Sequence, residues 1–293
     1  MSKKPPTAGA ALTAALRDDI ERLIDAEPEV RADTEDSVHQ MRVATRRLRS
    51  VLRSYKRLLD PDAANRIRTE LAWLAAILGV ARDAEVRGAR FAALLDRYAE
   101  PDCAALKPTR KRLVRAERAR YAAAHADILA ALDSKRYRAV RRELKTWRTD
   151  PPLIESASHT PAAEVFDQVL RADRKRVRRL VRAEPTAAPA DRVELLHDIR
   201  KSAKRLRYSC EAAAPAVGET AADLGKRAKQ LQTVLGDHRD AVESYDALRA
   251  RAAEAHAAGE STALYETLAD AEDTAAGRCL ARYPAAAAAI DKA

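Results

Sequence analysis

Between Val38 and Tyr55 one class of position returns every three or four residues: Val38, Met41, Thr45, Leu48, Leu52 and Tyr55. On a helix these share a stripe about 100° wide, the face that a core-packed helix presents. His39, Arg42, Arg46, Arg49 and Arg53 fall on the stripe beside it. The pattern returns at Leu196, where Leu196, Ile199, Ala203, Leu206 and Cys210 make the apolar stripe and His197, Arg200, Lys204 and Arg207 the basic one. Aligned, His197 lies under His39, Arg200 under Arg42, Arg205 under Arg47 and Arg207 under Arg49. Two copies of one pattern predict two equivalent half-sites.

The same periodicity predicts helices over 10–26, from about 37 to 60, and over 63–79, with another opening at LGVARDAEV and running to about Tyr98. Further helices are predicted over 104–132, a shorter one ending at Trp147, then 161–183, a second basic helix, 221–236, 237–257 and 261–282. Thr34, Asp36 or Ser37 is placed to cap the first basic helix, which stops before Pro61, and Asp191 and Glu194 stand at capping spacing before the second. His39 then sits in a first turn, where free amide groups and the helix dipole raise the positive potential. The stretch 148–161, with its prolines and small polar residues, reads as a connector between halves.

LGVARDAEV, at Leu78, has a counterpart in LGDHRDAV, at Leu235, so that Arg82 and Asp83 match Arg239 and Asp240. Gly79 follows His39 by 40 residues and Gly236 follows His197 by 39 (79 − 39 and 236 − 197). This agreement makes the duplication specific. For these Arg-Asp pairs the structural reading is favoured, with Asp capping a helix start or holding a facing arginine. Trp73 and Trp147 read as core residues.

Charge changes the picture most along the two rows. A solvated helix face mixes signs, because like charges four apart cost a few tenths of a kcal/mol. Arg42, Arg46, Arg49 and Arg53 stack one sign on one line. A carboxylate from a neighbouring helix accounts for any single arginine, whereas an external anion accounts for both rows together. The chain's net charge of +10 points to the same class of partner. Further basic positions are Arg47, Arg205, Lys111, Arg115 and Arg118 on the 104–132 helix, and Arg174 and Arg178 on the line Arg171, Arg174, Arg178, Arg182.

With 33% charged residues and no apolar run long enough to cross a bilayer, the sequence predicts a soluble protein with no membrane partner. Lysines and small apolar residues at the start resemble an export signal, but Arg17, Asp18 and Asp19 break the run too early. Cys103, Cys210 and Cys279 are odd in number and far apart, which disfavours a disulfide framework or a zinc site and suggests a reducing cytoplasm. No cofactor is expected.

The paired HxxRxxxRRLR and HxxRxxxKRLR helices, each followed some 40 residues on by LGxxRD, resemble the CHAD family, named for conserved histidines in an alpha-helical domain. The likeness covers nearly the whole chain. It implies an all-α fold of two pseudo-symmetric four-helix-bundle halves around a basic central cavity, a single domain over 8–293. The halves would span about 8–148 and 161–285, joined by 149–160, with 1–7 and 286–293 disordered or frayed. The resemblance also implies binding of inorganic polyphosphate and association with polyphosphate granules. It places His39, Arg42, Arg46, Arg49 and Arg53 with His197, Arg200, Lys204 and Arg207 on the cavity wall, and Arg47 and Arg205 also match the motif. Many members carry a fused triphosphate tunnel domain, whose Glu-x-Glu-x-Lys signature does not occur here. One departure stands out: Glu211 occupies the place of Arg53, so that either the far end of the second row is weaker for an anion or Glu211 holds a neighbouring arginine.

Arginine suits a phosphate chain through its planar fork and permanent charge. Each row histidine, beside guanidinium groups, is better placed neutral, either donating to phosphate or fixing the helix. His125, His159, His238 and His256 form no ligand pair. Three other function classes compete. HDIR at His197 is similar to the phospho-accepting box of histidine kinases, which would make His39 and His197 phosphotransfer sites, yet no ATP-binding glycine motif accompanies it. Nucleic-acid binding is permitted by charge, but 4% aromatics supply little base stacking, so it would be directed at the backbone and indifferent to sequence. Hydrolysis of the polymer needs carboxylate-held metal, and no acidic cluster stands out. The sequence therefore favours a non-catalytic binding module.

Overall fold

Thr7 starts the fold: its hydroxyl accepts from the Ala10 N–H at 3.3 Å and caps the first helix. In the computed structural model, which describes residues 5–292, every named element is helical. In chain order these are α1 (Ala8–Arg31), α2 (Ser37–Ser54), α3 (Pro61–Tyr98), α4 (Leu106–Arg110), α5 (Ala116–Asp133), α6 (Lys135–Trp147) and α7 (Glu155–Ser158). They are followed by α8 (Ala162–Ala183), α9 (Pro189–Val217), α10 (Glu219–Ala257), α11 (Ala263–Ala281) and α12 (Tyr283–Ala289). A π turn over Lys111–Arg115 joins α4 to α5.

The chain forms two compact units. One holds residues up to Leu78, Ile128–Gln232 and the C-terminal stretch from Ala286, and contains α1, α2, α6, α7, α8 and α9. Its buried side chains include Leu12, Leu16, Met41, Leu48, Tyr55 and Phe166. The other unit holds Gly79–Asp127 and Thr233–Ala285, with Phe91, Leu95, Leu113, Leu248, Tyr265 and Leu268 in its core. There the two oxygens of the buried Glu272 each accept from Arg90 at 2.5 Å. The division does not fall at the connector: each unit draws helices from both sequence repeats.

Several expected boundaries move. α3 runs unbroken through Gly79 and α10 through Gly236. One glycine costs a helix only about 1 kcal/mol, and the buried Leu74, Leu78, Ala81 and Ala84, or Leu231, Leu235 and Ala241, carry the core face onward. Asp83 and Asp240 are therefore mid-helix and not helix starts, while Arg82 pairs with Glu85 at 2.9 Å and Arg239 with Glu243 at 2.5 Å. α9 begins at Pro189, without a side-chain cap, and Asp191 lies in its first turn. Asp36 precedes α2 with φ 60°, and its carboxylate accepts from the Gln40 amide at 2.7 Å in place of a backbone cap.

The connector is stitched into the fold. Asp60 N–H donates to Pro152 O at 2.8 Å, Ile154 N–H to Leu58 O at 2.9 Å, and Ala8 N–H to Thr160 O at 2.7 Å. Residues 5–7 and 286–292, expected to be disordered or frayed, are structured: Thr7 pairs with Pro161, and Ile290 is buried after α12. For the C-terminal stretch the physical reason is that Tyr283, Ala286 and Ala287 make one apolar face of a short helix, which the buried Ile290 continues just past its end. Residues 1–4 and 293 lie outside the described ones. Trp147 is buried, whereas Trp73 is only half-buried beneath Arg136, whose guanidinium stands 4.3 Å from the ring centroid.

Close approach of α1 to the connector depends on Gly9, where a Cβ would sit 2.7 Å from Ser158 Cβ and 3.0 Å from Leu153 Cδ1. Gly277, inside α11, faces open space. Gly9→Ala is expected to lower stability by about 1–3 kcal/mol through overpacking, and Gly277→Ala to raise it by about 0.5–1 kcal/mol. Urea unfolding of both variants checks the opposite signs.

Candidate functional site

The helices bearing the two basic rows belong to one compact unit, with α1 packed on α2, α8 on α9, and α2 against α9. Two buried carboxylates organise this packing. Asp19 on α1 lies 2.5 Å from Arg47 Nε of α2, and Asp173 on α8 lies 2.8 Å from Arg205 Nε of α9. Arg47 and Arg205 are each the second member of a basic doublet, Arg46-Arg47 and Lys204-Arg205. Neighbours on a helix diverge by about 100°, so anchoring one member turns the other away from the carboxylate.

Around Asp173 the contacts are dense. Ser209 Oγ and Ser54 Oγ lie 2.7 and 3.1 Å from its Oδ2, and Arg205 Nε also donates to Ser54 Oγ at 3.1 Å. Tyr55 donates its hydroxyl to Ser209 O at 2.9 Å and stands edge-on to Phe166. Around Asp19 the second carboxylate is Glu211, which accepts from Arg47 and, at 2.7 Å, from Arg207. Burial pushes the Asp19 carboxyl up to about 6, against the pull of Arg47 and Arg22.

Above these clasps lies a cleft of about 380 Å³. α2 supplies Arg46, Ser50, Arg49 and Arg53, while α9 supplies Lys204, Arg205, Lys201, Tyr208, Ser202 and one carboxylate, Asp198. Arg68 of α3 and Arg176 of α8 complete the cationic lining. Among the described residues, Arg46, Arg49, Arg53, Arg68 and Arg176 make no ion pair: Arg68 donates to Asn65 and Arg176 to Ser202. Lys201, by contrast, pairs with Asp198 at 2.5 Å.

The electrostatic cost of this arrangement is visible. Burial, then the charges of Arg42, Arg200 and Arg49, push the Arg46 guanidinium down from its ordinary value to about 10. Arg49 is pushed down by burial and by Arg68; Arg53 by burial and by Arg205, Arg176 and Arg68. All remain cations near pH 7. Cations held together out of full solvent form a ready site for a multivalent anion.

The expected residues divide. Arg46, Arg49, Arg53, Lys204 and Arg205 share the cleft, and Arg42 and Arg200 act on Arg46 electrostatically from outside its lining. Arg207 is turned aside onto Glu211, so that the two copies are not equivalent: Glu211 in the place of Arg53 captures both Arg207 and Arg47. Arg47 acts as a clasp. His39 and His197 are half-buried and do not line the cleft; His39 is in the first turn of α2, while His197 lies two turns into α9. Lys111, Arg115 and Arg118 belong to the other unit. Arg174 donates to Ile290 O and Asp291 O, each at 2.9 Å, and Arg178 pairs with the Asp291 carboxylate.

Arg68, Arg176, Lys201 and Tyr208 were not legible as site residues. Arg68 and Arg176 stand on helices outside the repeated motif and reach the cleft only through packing, and Lys201 sits one position past the expected row. Among the described residues no group of three or more His, Cys, Asp and Glu is placed to hold a metal ion, and no helix is long and apolar enough to cross a membrane.

A family model of the CHAD domain matches residues 14–249. The uncharacterized proteins MT2285 and Rv2226 of two Mycobacterium tuberculosis strains are each 39% identical over 284 residues, covering 95% of this chain and 53% of theirs. The chain thus spans about half the length of the curated relatives it matches. Among solved structures, PptA from Streptomyces chartreusis superposes with a TM-score of 0.79 at 21% identity, covering 96% of this chain and 99% of that one. The CHAD domain from the plant Ricinus communis gives 0.68 at 24% identity, covering 99% and 93%. At these identities the likeness is one of fold.

Clasp and cleft should respond oppositely to mutation. Asp173→Ala strands Arg205 and two serine hydroxyls and is expected to lower stability by about 3–5 kcal/mol. Arg49→Gln relieves repulsion at a half-exposed site and should raise the melting temperature slightly in dilute buffer, an advantage that disappears near about 1 M salt. Thermal melts across a salt series check both.

Proposed function

Because the chain belongs to the CHAD domain family, we propose that it binds inorganic polyphosphate in the cleft between α2 and α9 and performs no chemistry on the polymer. The observation that carries this reading is the set of five arginines, Arg46, Arg49, Arg53, Arg68 and Arg176, brought by three helices to one cleft without a carboxylate among them as partner. Polyphosphate bears a charge on every unit and offers oxygens to guanidinium forks from both walls. Binding supplies the missing counter-charge, so the repulsion of the empty cleft becomes affinity for the anion. Lys204 and Arg205 extend the contact on the α9 side, and Arg42 and Arg200 deepen the positive potential around Arg46.

In this reading the chain is a binding module and not a hydrolase. A cytoplasmic protein stationed on polyphosphate granules fits the cysteine pattern and the charge of the chain. His39 and His197 support helix packing around the site in this reading, and neither accepts a phosphoryl group.

Arg46→Ala/Arg49→Ala/Arg68→Ala should weaken polyphosphate binding by about a hundredfold or more, since a charge-assisted bond is worth about 1.5–3 kcal/mol. Far-UV circular dichroism should remain helical. With some five phosphates neutralised, affinity should fall about a hundredfold between about 50 and 200 mM salt, by analogy with single-stranded nucleic acids. Titration with EDTA present, and in competition with duplex DNA of equal charge, completes the test. Affinity lost to EDTA, or equal affinity for DNA, would overturn the assignment. Because guanidinium groups do not titrate near neutrality, affinity should stay flat from about pH 6 to 8; a fall centred near pH 6.5 would bring in the histidines.

A further inference from the structure

A second basic cleft, of about 850 Å³, runs along α8. It shares Arg176 and Arg205 with the first, so that the two cationic linings are continuous. Beyond Arg176 the α8 cleft presents Lys175, Arg179 and Arg182, exposed side chains at spacings of four and three residues, which keeps them on one helix face over about 10 Å. Among the described residues these three make no ion pair. The other cations of this cleft apart from Arg176 are engaged: Arg171 pairs with Asp167, Arg205 with Asp173, and Arg174 and Arg178 hold the C-terminal stretch at Ile290 and Asp291. The selection of partners matters, because it leaves one unneutralised line leading away from the first cleft.

We infer that the α8 face is a second polyanion subsite, entered across Arg176 and Arg205, that engages only chains long enough to extend out of the α2–α9 cleft. The inference rests on the polyphosphate reading of the first cleft and adds a length discrimination to it. A linear polymer bound in both clefts gains contacts without a second association step, because its second segment is delivered at high effective concentration by the first. A short oligophosphate fills the first cleft alone. Electrostatic proximity agrees with a continuous path: the guanidinium of Arg53 is influenced by both Arg205 and Arg176.

The test compares two variants on two probes, tripolyphosphate and long-chain polyphosphate, by titration across a salt series. Lys175→Ala/Arg179→Ala/Arg182→Ala changes exposed side chains and should keep the wild-type melting temperature. It is expected to weaken long-chain binding about tenfold or more and to lower its salt slope by about 2, while changing tripolyphosphate affinity less than twofold. Long-chain affinity within twofold of wild type, or equal losses for both probes, would overturn the second subsite and leave the first intact. The first-cleft variant Arg46→Ala/Arg49→Ala/Arg68→Ala should lose both probes. If it retains both, it is the reading of the first cleft that falls.

Discussion

Two buried carboxylates, Asp19 and Asp173, govern the architecture around the candidate site. Each sits on the helix that opens its sequence repeat and grips one arginine of the basic helix that follows, Arg47 or Arg205. An unpaired charge at these depths would cost several kcal/mol, so the position of each carboxylate dictates which face of the basic helix turns inward. Helix geometry then sets the azimuth of the other basic residues on that helix. Arg46, one step along from the gripped Arg47, lines the cleft while Arg47 does not; on α9 both Lys204 and the gripped Arg205 line it.

This division of labour explains how so strongly basic a chain folds with part of its charge unneutralised. Most arginines with distant partners are spent on structure, as Arg90 is on Glu272, Arg112 on Glu260 and Arg136 on Glu70. Arg46, Arg49, Arg53, Arg68 and Arg176, from α2, α3 and α8, are among those without a carboxylate partner, and they share one cleft. Their mutual repulsion is tolerated because the Asp173 clasp beneath, with Ser54, Ser209 and Tyr55 bound into it, holds α2, α8 and α9 together.

The two copies diverge for an equally local reason. Glu211 stands where the first copy has Arg53, and its carboxylate draws in Arg47 from α2 and Arg207 from its own helix. The second row thereby loses a member to the scaffold, and its place in the cleft is taken by Lys201 and Tyr208, on a neighbouring azimuth of α9. The cleft is consequently asymmetric, richer in arginine on the α2 wall, and its lining continues onto α8 through Arg176 and Arg205.

What the amino-acid sequence determined by itself was local and periodic: the helical class, the stripes at Val38–Tyr55 and Leu196–Cys210, the duplicated LGxxRD line, and a basic row too uniform in sign to be an ordinary solvated face. Those features depend on residues within one or two turns, which a helix fixes without reference to the rest of the chain. Helix ends at Gly79, Gly236 and the C-terminal tail were misread because the energy that extends or docks them comes from buried contacts with other helices and outweighs the small local penalty. Only the tertiary structure decided which cations are neutralised. The partners of Arg47 and Arg205 lie 28 and 32 residues away (47 − 19 and 205 − 173), Arg68 and Arg176 enter from helices with no motif, and charge pairing over such separations is set by packing.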